Sequence, residues 1–148
     1  SDVCSSDLHL HPADRPLYDA AVQQGAAFGY PMPDLPAPDR VLAPGEHIPF
    51  GASRLEVRHA PGHAPGHVIF YAPEAGVAFV GDVVFAGSIG RTDLPGGDFR
   101  TLIESIRREV LSLPPETRLL SGHGPETTVS VESRHNPFLI PHVGGALA

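Results

Sequence analysis

Three short stretches carry residues able to hold a cation. His59-Ala-Pro-Gly-His63-Ala-Pro-Gly-His67 spaces three imidazoles at i, i+4 and i+8. On a helix that spacing would line one face. Pro61 and Pro65, each followed by Gly, forbid a continuous helix, so these histidines belong to a bent loop. Phe79-Val-Gly-Asp82-Val-Val-Phe85 sets a lone carboxylate in an apolar run, where burial is costly unless a cation or hydrogen bonds compensate it. Leu120-Ser-Gly-His123-Gly-Pro125 puts an imidazole between two glycines, where a plain turn would favour Asn or Asp. Taken singly, each has an ordinary explanation as a polar loop residue or a turn former. Taken together, His63, Asp82 and His123 sit in three strand-end loops and offer nitrogen and oxygen donors that suit zinc or iron, with zinc contacts of about 2.0–2.2 Å.

The elements that must position these loops follow from apolar periodicity. His9-Leu-His11 reads as a strand end, with Pro12 at the first position of a helical turn. Leu17, Ala20, Ala21 and Gln24 are helically spaced, and Gly25 and Gly29 are expected to stop that helix. Pro31, Pro33, Pro36, Pro38 and Pro44 make the next segment an extended surface loop. Strands are expected at Glu46–Phe50 and Arg54–His59, then at His67–Tyr71 and Val77–Val80, the last two joined as a hairpin by Pro73-Glu-Ala-Gly76. Val83–Phe85 is expected to prolong the sheet beyond Gly81-Asp82. Asp98 is a helix N-cap, and Phe99, Leu102, Ile103, Ile106 and Val110 form the clearest apolar stripe of the chain. Arg118–Leu120 reads as a strand and Thr127–His135 as a weaker helix before Pro137. Strands alternating with helices place the chain in the α/β or layered α+β class.

The 148 residues suit one domain, and Gly 16 and Pro 17 exceed the usual share of about 12%, as expected of long loops. Net charge is −7 with every basic residue an Arg, and there is no basic run, which argues against a nucleic-acid or anionic-membrane partner. No stretch approaches the roughly 18 apolar residues of a membrane span, and Ser1–Leu8 lacks the basic and apolar regions of a signal peptide. One cysteine, Cys4, excludes an internal disulfide framework. A cytoplasmic protein is the expectation.

His59-Ala-Pro-Gly-His-Ala-Pro-Gly-His67, Gly81-Asp82, Gly87-Ser-Ile-Gly-Arg-Thr-Asp93, Gly122-His-Gly-Pro-Glu-Thr127 and Asn136-Pro-Phe138 resemble, in order and spacing, the metallo-β-lactamase fold, and within it the single-domain glyoxalase II-like hydrolases. The resemblance covers nearly all of His9 to Leu139. It implies an αββα sandwich of two mixed sheets with metals at one edge. By it, His63 would bind a first metal, His123 a second, and Asp82 would bridge both. His67 would stand behind the ligands, and Arg91 would contact substrate. The implied cofactor is a pair of zinc ions, with iron or manganese as alternatives. The implied reaction is attack of a metal-activated hydroxide on a thioester or ester such as an acylglutathione. Persulfide dioxygenase and lactonase are the alternatives within the fold. A zinc β-lactamase often has Cys where Asp82 stands.

One departure matters. The family's remaining ligands come from a His-x-His-x-Asp-His motif, which this sequence does not contain. In His9-Leu-His11-Pro-Ala-Asp14, Ala13 stands where Asp is required and Asp14 where His is required, so His9 and His11 read as structural. Residues 9–148 therefore read as the C-terminal part of such a domain, preceded by a non-native or disordered start at residues 1–8. Two ligands per metal are fewer than the three usual in catalytic zinc sites. This supports the rival reading of an inactive fragment or binding module, and bared sheet edges would invite self-association.

Overall fold

Apolar alternation and turn glycines set most element boundaries. The computed structural model describes residues 7–140. Cys4, and all of the expected foreign start except Asp7 and Leu8, lie outside the described residues. In chain order come β1 (His9–Leu10), a 3-10 turn (Pro12–Asp14), α1 (Arg15–Ala27), β2 (Arg40–Val41), β3 (His47–Phe50), β4 (Ser53–His59) and β5 (Val68–Ala72). They are followed by β6 (Val77–Gly81), β7 (Val84–Phe85), β8 (Ser88–Ile89), α2 (Phe99–Ser105), a π-helical continuation (Ile106–Val110), β9 (Arg118–Ser121), β10 (Thr127–Thr128) and α3 (Val129–His135).

The main sheet has six strands in the order β10-β9-β6-β5-β4-β3, and two-stranded ribbons β1-β2 and β7-β8 stand apart from it. β3 to β6 run antiparallel to their sequence neighbours, whereas β6 pairs with β9 in parallel. A parallel pair needs a crossover connection, and α2 lies on it. Ile69, Tyr71, Ala78, Val80 and Leu119 on the sheet join Leu102, Ile103, Ile106 and Val110 in one buried cluster. Arg58 lies over the Tyr71 ring at 5.4 Å and reaches the Glu109 carboxylate at 3.7 Å, closing the rim of that layer. The other sheet face carries Val57, Phe70, Phe79 and Leu120 in register, and Phe79 is 44% exposed there. Among the described residues this mixed α/β arrangement, one large sheet with α2 packed on it, is what the C-terminal part of an αββα sandwich is expected to show.

Three local expectations are corrected. The first concerns α1, which runs through Gly25 and ends at Gly29. Gly29 has φ 81°, and the Tyr30 N–H donates to the Gly25 carbonyl at 2.8 Å, while the Gly29 N–H donates to that of Ala26 at 3.1 Å. That pairing is a Schellman closure, so Gly25 supplies a helical carbonyl and Gly29 the left-handed turn. Second, Val83–Phe85 does not prolong the sheet. The chain turns out at Gly81 (φ 53°), just after a register shift between Phe79 and Gly81, and Val84–Phe85 pairs with Ser88–Ile89 instead. Third, Phe99 is 49% exposed and the buried stripe begins at Leu102. The first turn of α2 docks on the histidine loop, with the Asp98 N–H donating to the Gly62 carbonyl at 2.8 Å, and Phe99 stays outside the buried cluster. Asp98 caps as expected, its carboxylate accepting from the Thr101 N–H at 2.7 Å.

Candidate metal centre

His63, Asp82 and His123 converge because three chain reversals meet at one end of the sheet. The histidine loop leaves β4 and re-enters β5, with the Ala60 N–H donating to the His67 carbonyl at 2.8 Å across its neck. Its tip rests on α2. Gly62 has φ 131°, and a Cβ there would collide with the backbone of Leu102, so no other residue fits without moving the helix. The Ser105 hydroxyl adds a 2.7 Å bond to the Pro61 carbonyl. On the sheet side, the Gly122 N–H donates to the Gly81 carbonyl at 2.9 Å, which ties the His123 loop to the strand that ends in Asp82.

Asp82 sits between the two imidazoles. Its Oδ1 is 3.0 Å from His123 Nδ1 and its Oδ2 is 3.9 Å from His63 Nε2. His63 Nδ1 lies 2.9 Å from the Arg91 carbonyl oxygen. A carbonyl only accepts, so Nδ1 carries the proton and Nε2, the nitrogen facing Asp82, keeps its lone pair. The carboxylate is half-buried, whereas the His123 side chain is 78% exposed, so one end of the group opens to solvent. A Cβ at Gly122 would lie 2.5 Å from Asp82 Oδ1, which makes glycine a condition of the carboxylate's position.

The other two histidines of the loop face elsewhere. His67 Nε2 donates to the Val80 carbonyl at 3.2 Å, and its ring meets that of His63 edge-on at 5.8 Å. Burial pushes the His67 pKa down and so disfavours the charged ring, with the Val80 hydrogen bond acting against that trend. His59 bonds the Pro65 carbonyl at 2.8 Å and stacks on His11 at 4.2 Å between ring centroids. His11 also caps the 3-10 turn by accepting from the Ala13 N–H at 3.2 Å, and so stands among structural contacts. Arg91 is split in two. Its carbonyl orients His63, but its exposed guanidinium is clamped by Asp93 through two 2.8 Å bonds that hold the Asp93 carboxyl down at about 2.

The donor set has the right chemistry for a borderline divalent metal: two imidazoles and a shared carboxylate, one imidazole with its ligating nitrogen already selected. Among the described residues, however, no three His, Cys, Asp or Glu side chains are grouped closely enough to hold an ion. The three residues fit as part of a metal site. Glu132 on α3 and Asn136 at its C-cap bond to the Gly87–Ser88 segment rather than to these three residues; Glu132 belongs to no motif read from the sequence, whereas Asn136 was visible in Asn136-Pro-Phe138.

Comparison with known proteins places the chain in a family. Over 127 residues, the chain is 45% identical to the hydroxyacylglutathione hydrolase GloC of Haemophilus influenzae, a match covering 85% of this chain and 60% of that protein. It is similar to the crystal structure of TTHA1623 in a di-iron-bound form, with 49% identity and a TM-score of 0.82 over 92% of this chain and 66% of that one. It is also similar to the B3 metallo-β-lactamase BLEG-1, with 40% identity and a TM-score of 0.83 over 93% of this chain and 66% of that one. The chain spans about three fifths of the length of the curated relatives it matches. The family model of the metallo-beta-lactamase superfamily matches residues 2–123, most of the chain, and to that superfamily the chain belongs.

Proposed function

We propose that His63, Asp82 and His123 are the C-terminal ligands of a metal-dependent hydrolase centre acting on a thioester or ester such as an acylglutathione. The observation that carries this reading is Asp82 set between two imidazoles, with the Nε2 lone pair of His63 turned toward it. The hydrolase relative from H. influenzae supports the thioester class, and the di-iron neighbour keeps iron beside zinc as the metal. A divalent metal held there would supply Lewis acidity, lowering the pKa of water toward neutrality and polarising a carbonyl oxygen.

The chain's own residues have separable parts in this. Asp82 offers one oxygen to each side, so a single carboxylate serves two positions. His63 presents a neutral nitrogen in an orientation fixed by the Arg91 carbonyl. His67, buried behind it with its charged form disfavoured, keeps the ring from turning. Arg91 brings a cation to the rim, and an anionic substrate would have to compete with Asp93 for it.

The test is zinc or iron uptake by the purified chain, read by equilibrium dialysis and metal analysis, beside hydrolysis of an acylglutathione and a lactone and oxygen consumption with a glutathione persulfide. Expected is metal uptake that His63→Ala and Asp82→Ala each abolish, with turnover of the thioester. Uptake indifferent to both substitutions overturns the ligand assignment. A second reading, a binding module without turnover, is favoured by the absence of a three-ligand group among the described residues. Metal uptake without turnover of any of the three substrates decides for it.

A further inference from the structure

Glu132 on α3 is 1% exposed and Asn136 at its C-cap is fully buried, and neither hydrogen-bonds to His63, Asp82 or His123. The Glu132 carboxylate accepts from the Gly87 N–H at 3.0 Å, the Thr127 hydroxyl at 2.6 Å and the Asn136 amide at 2.7 Å. That same amide nitrogen donates to the Ser88 carbonyl at 3.0 Å. One helix end thus grips both the amide and the carbonyl of the turn that joins β7 to β8. Burying a carboxylate carries a desolvation cost that these three donors offset, and removing any one of them would leave a buried group short of a partner.

The gripped turn leads straight to the site. Its ribbon begins two residues after Asp82 and is closed by the pairs Val84–Ile89 and Phe85–Ser88. At its far end the Gly90 N–H donates to the Val83 carbonyl at 3.1 Å. Gly90 is wedged so tightly that a Cβ there would overlap the Asp82 carbonyl oxygen and lie 3.3 Å from His63 Nδ1. The next carbonyl, that of Arg91, is the one that receives the His63 Nδ1 proton.

We propose that Glu132 and Asn136 are positioning residues: by clamping the Gly87-Ser88 turn they hold the Arg91 carbonyl against His63 and so decide which of its two ring nitrogens is free. The importance of that choice rests on the reading of His63 as a ligand, but the choice itself is a property of the metal-free chain. Asp82 is steadied by the same ribbon from its other end. The clamp works by hydrogen bonding rather than charge. A Gln at position 132 could place its amide oxygen where Gly87 and Asn136 donate, and give its N–H to the Thr127 hydroxyl, so the clamp survives that exchange.

The experiment reads the ring-nitrogen chemical shifts of His63 by NMR in the metal-free chain, at alkaline pH where imidazole is neutral, with circular dichroism as the check on folding. The wild type and Glu132→Gln are expected to show the Nδ1–H form predominating. Glu132→Ala and Asn136→Ser are expected to lose that bias and broaden or shift the His63 signals, while His59, outside the ribbon, is unchanged. A folded Glu132→Ala with an unaltered His63 tautomer overturns the proposal. So does loss of the bias in Glu132→Gln equal to that in Glu132→Ala. Should Glu132→Ala fail to fold, Asn136→Ser and amide exchange in the wild type carry the test. Slow exchange at Gly87 is required, and fast exchange there refutes the clamp. Metal uptake is measured separately, so a chain that binds no metal yet shows the tautomer change fails the function proposed above and leaves this one standing.

Discussion

At the scale of single residues, the site is made as much by missing side chains as by present ones. Gly122 exists beside Asp82 because a methyl group would displace Oδ1, which is the atom bonded to His123. The displaced atom is the end of a side chain rather than backbone, so the fold can yield. Gly122→Ala is therefore expected to leave stability within about 1 kcal/mol of the wild type. Loss of the Asp82–His123 contact is expected to weaken zinc uptake about 10- to 100-fold, the usual penalty for disturbing a ligand's support. Thermal melts paired with dialysis separate the two effects, and unchanged affinity would show that the contact does not prepare the site. The identities of His63, Asp82 and His123 stood out in the sequence because each breaks a local rule, an imidazole or carboxylate where a turn or strand would choose otherwise. The part of Arg91 did not, since the group that acts on His63 is a carbonyl that every residue has.

At the scale of elements, the histidine loop and α2 behave as one unit. Gly62 packs its α-carbon against the Leu102 backbone, Asp98 bonds back to Gly62, and Ser105 bonds to Pro61. Gly62→Ala meets a positive φ and a backbone wall together, and is expected to cost about 3 kcal/mol or more. Ser105→Ala leaves a buried carbonyl unpaired, with an expected cost of about 1–2 kcal/mol. Chemical denaturation measures both, and a Gly62→Ala cost no larger than that of Ser105→Ala would mean the helix is not seated on the loop. Helix α2 was legible from its stripe and its Asp98 cap. Its docking was not, because the apolar pattern shows which face is buried but not that the first turn docks on the histidine loop and leaves Phe99 outside the buried cluster.

At the scale of the whole molecule, the N-terminal unit of β1, α1 and β2 meets the histidine loop through two contacts. His11 stacks on His59, and Asp14 accepts from the Gly66 N–H at 2.6 Å. The His11 pKa lies below its ordinary 6.5, first because packing strips water from the ring and then because His59 faces it, with Asp14 pulling the other way. Above pH 6.5 neither the folded nor the unfolded chain holds this proton, so the group adds no pH dependence. As pH falls from 6.5 through the folded value, the unfolded chain takes up a proton that the fold resists, and stability is lost across that window. His11→Asn keeps an acceptor for the Ala13 N–H and removes the titration, so its melting temperature is expected to vary less than that of the wild type between pH 7 and about 5. Parallel profiles for the two proteins would remove His11 as the cause. Among the described residues, no helix is long and apolar enough to cross a membrane.

Short-range physics determined what the sequence could show by itself. Proline and glycine punctuation, strand alternation and the stripe after Asp98 depend on neighbours a few residues apart, and these placed the hairpin, the main helix and the three loops that carry His63, Asp82 and His123. The family resemblance rested on those same motifs. Tertiary structure decided the rest. The imidazoles of His59 and His67 turned away from Asp82, Arg91 was claimed by Asp93, Val84–Phe85 left the sheet, and α3 gripped the ribbon through Glu132 and Asn136. The bonds of His67 to Val80, of Glu132 to Gly87 and of Asn136 to Ser88 join groups 13, 45 and 48 residues apart, and a linear order of residues does not rank distant partners until folding has set their distances.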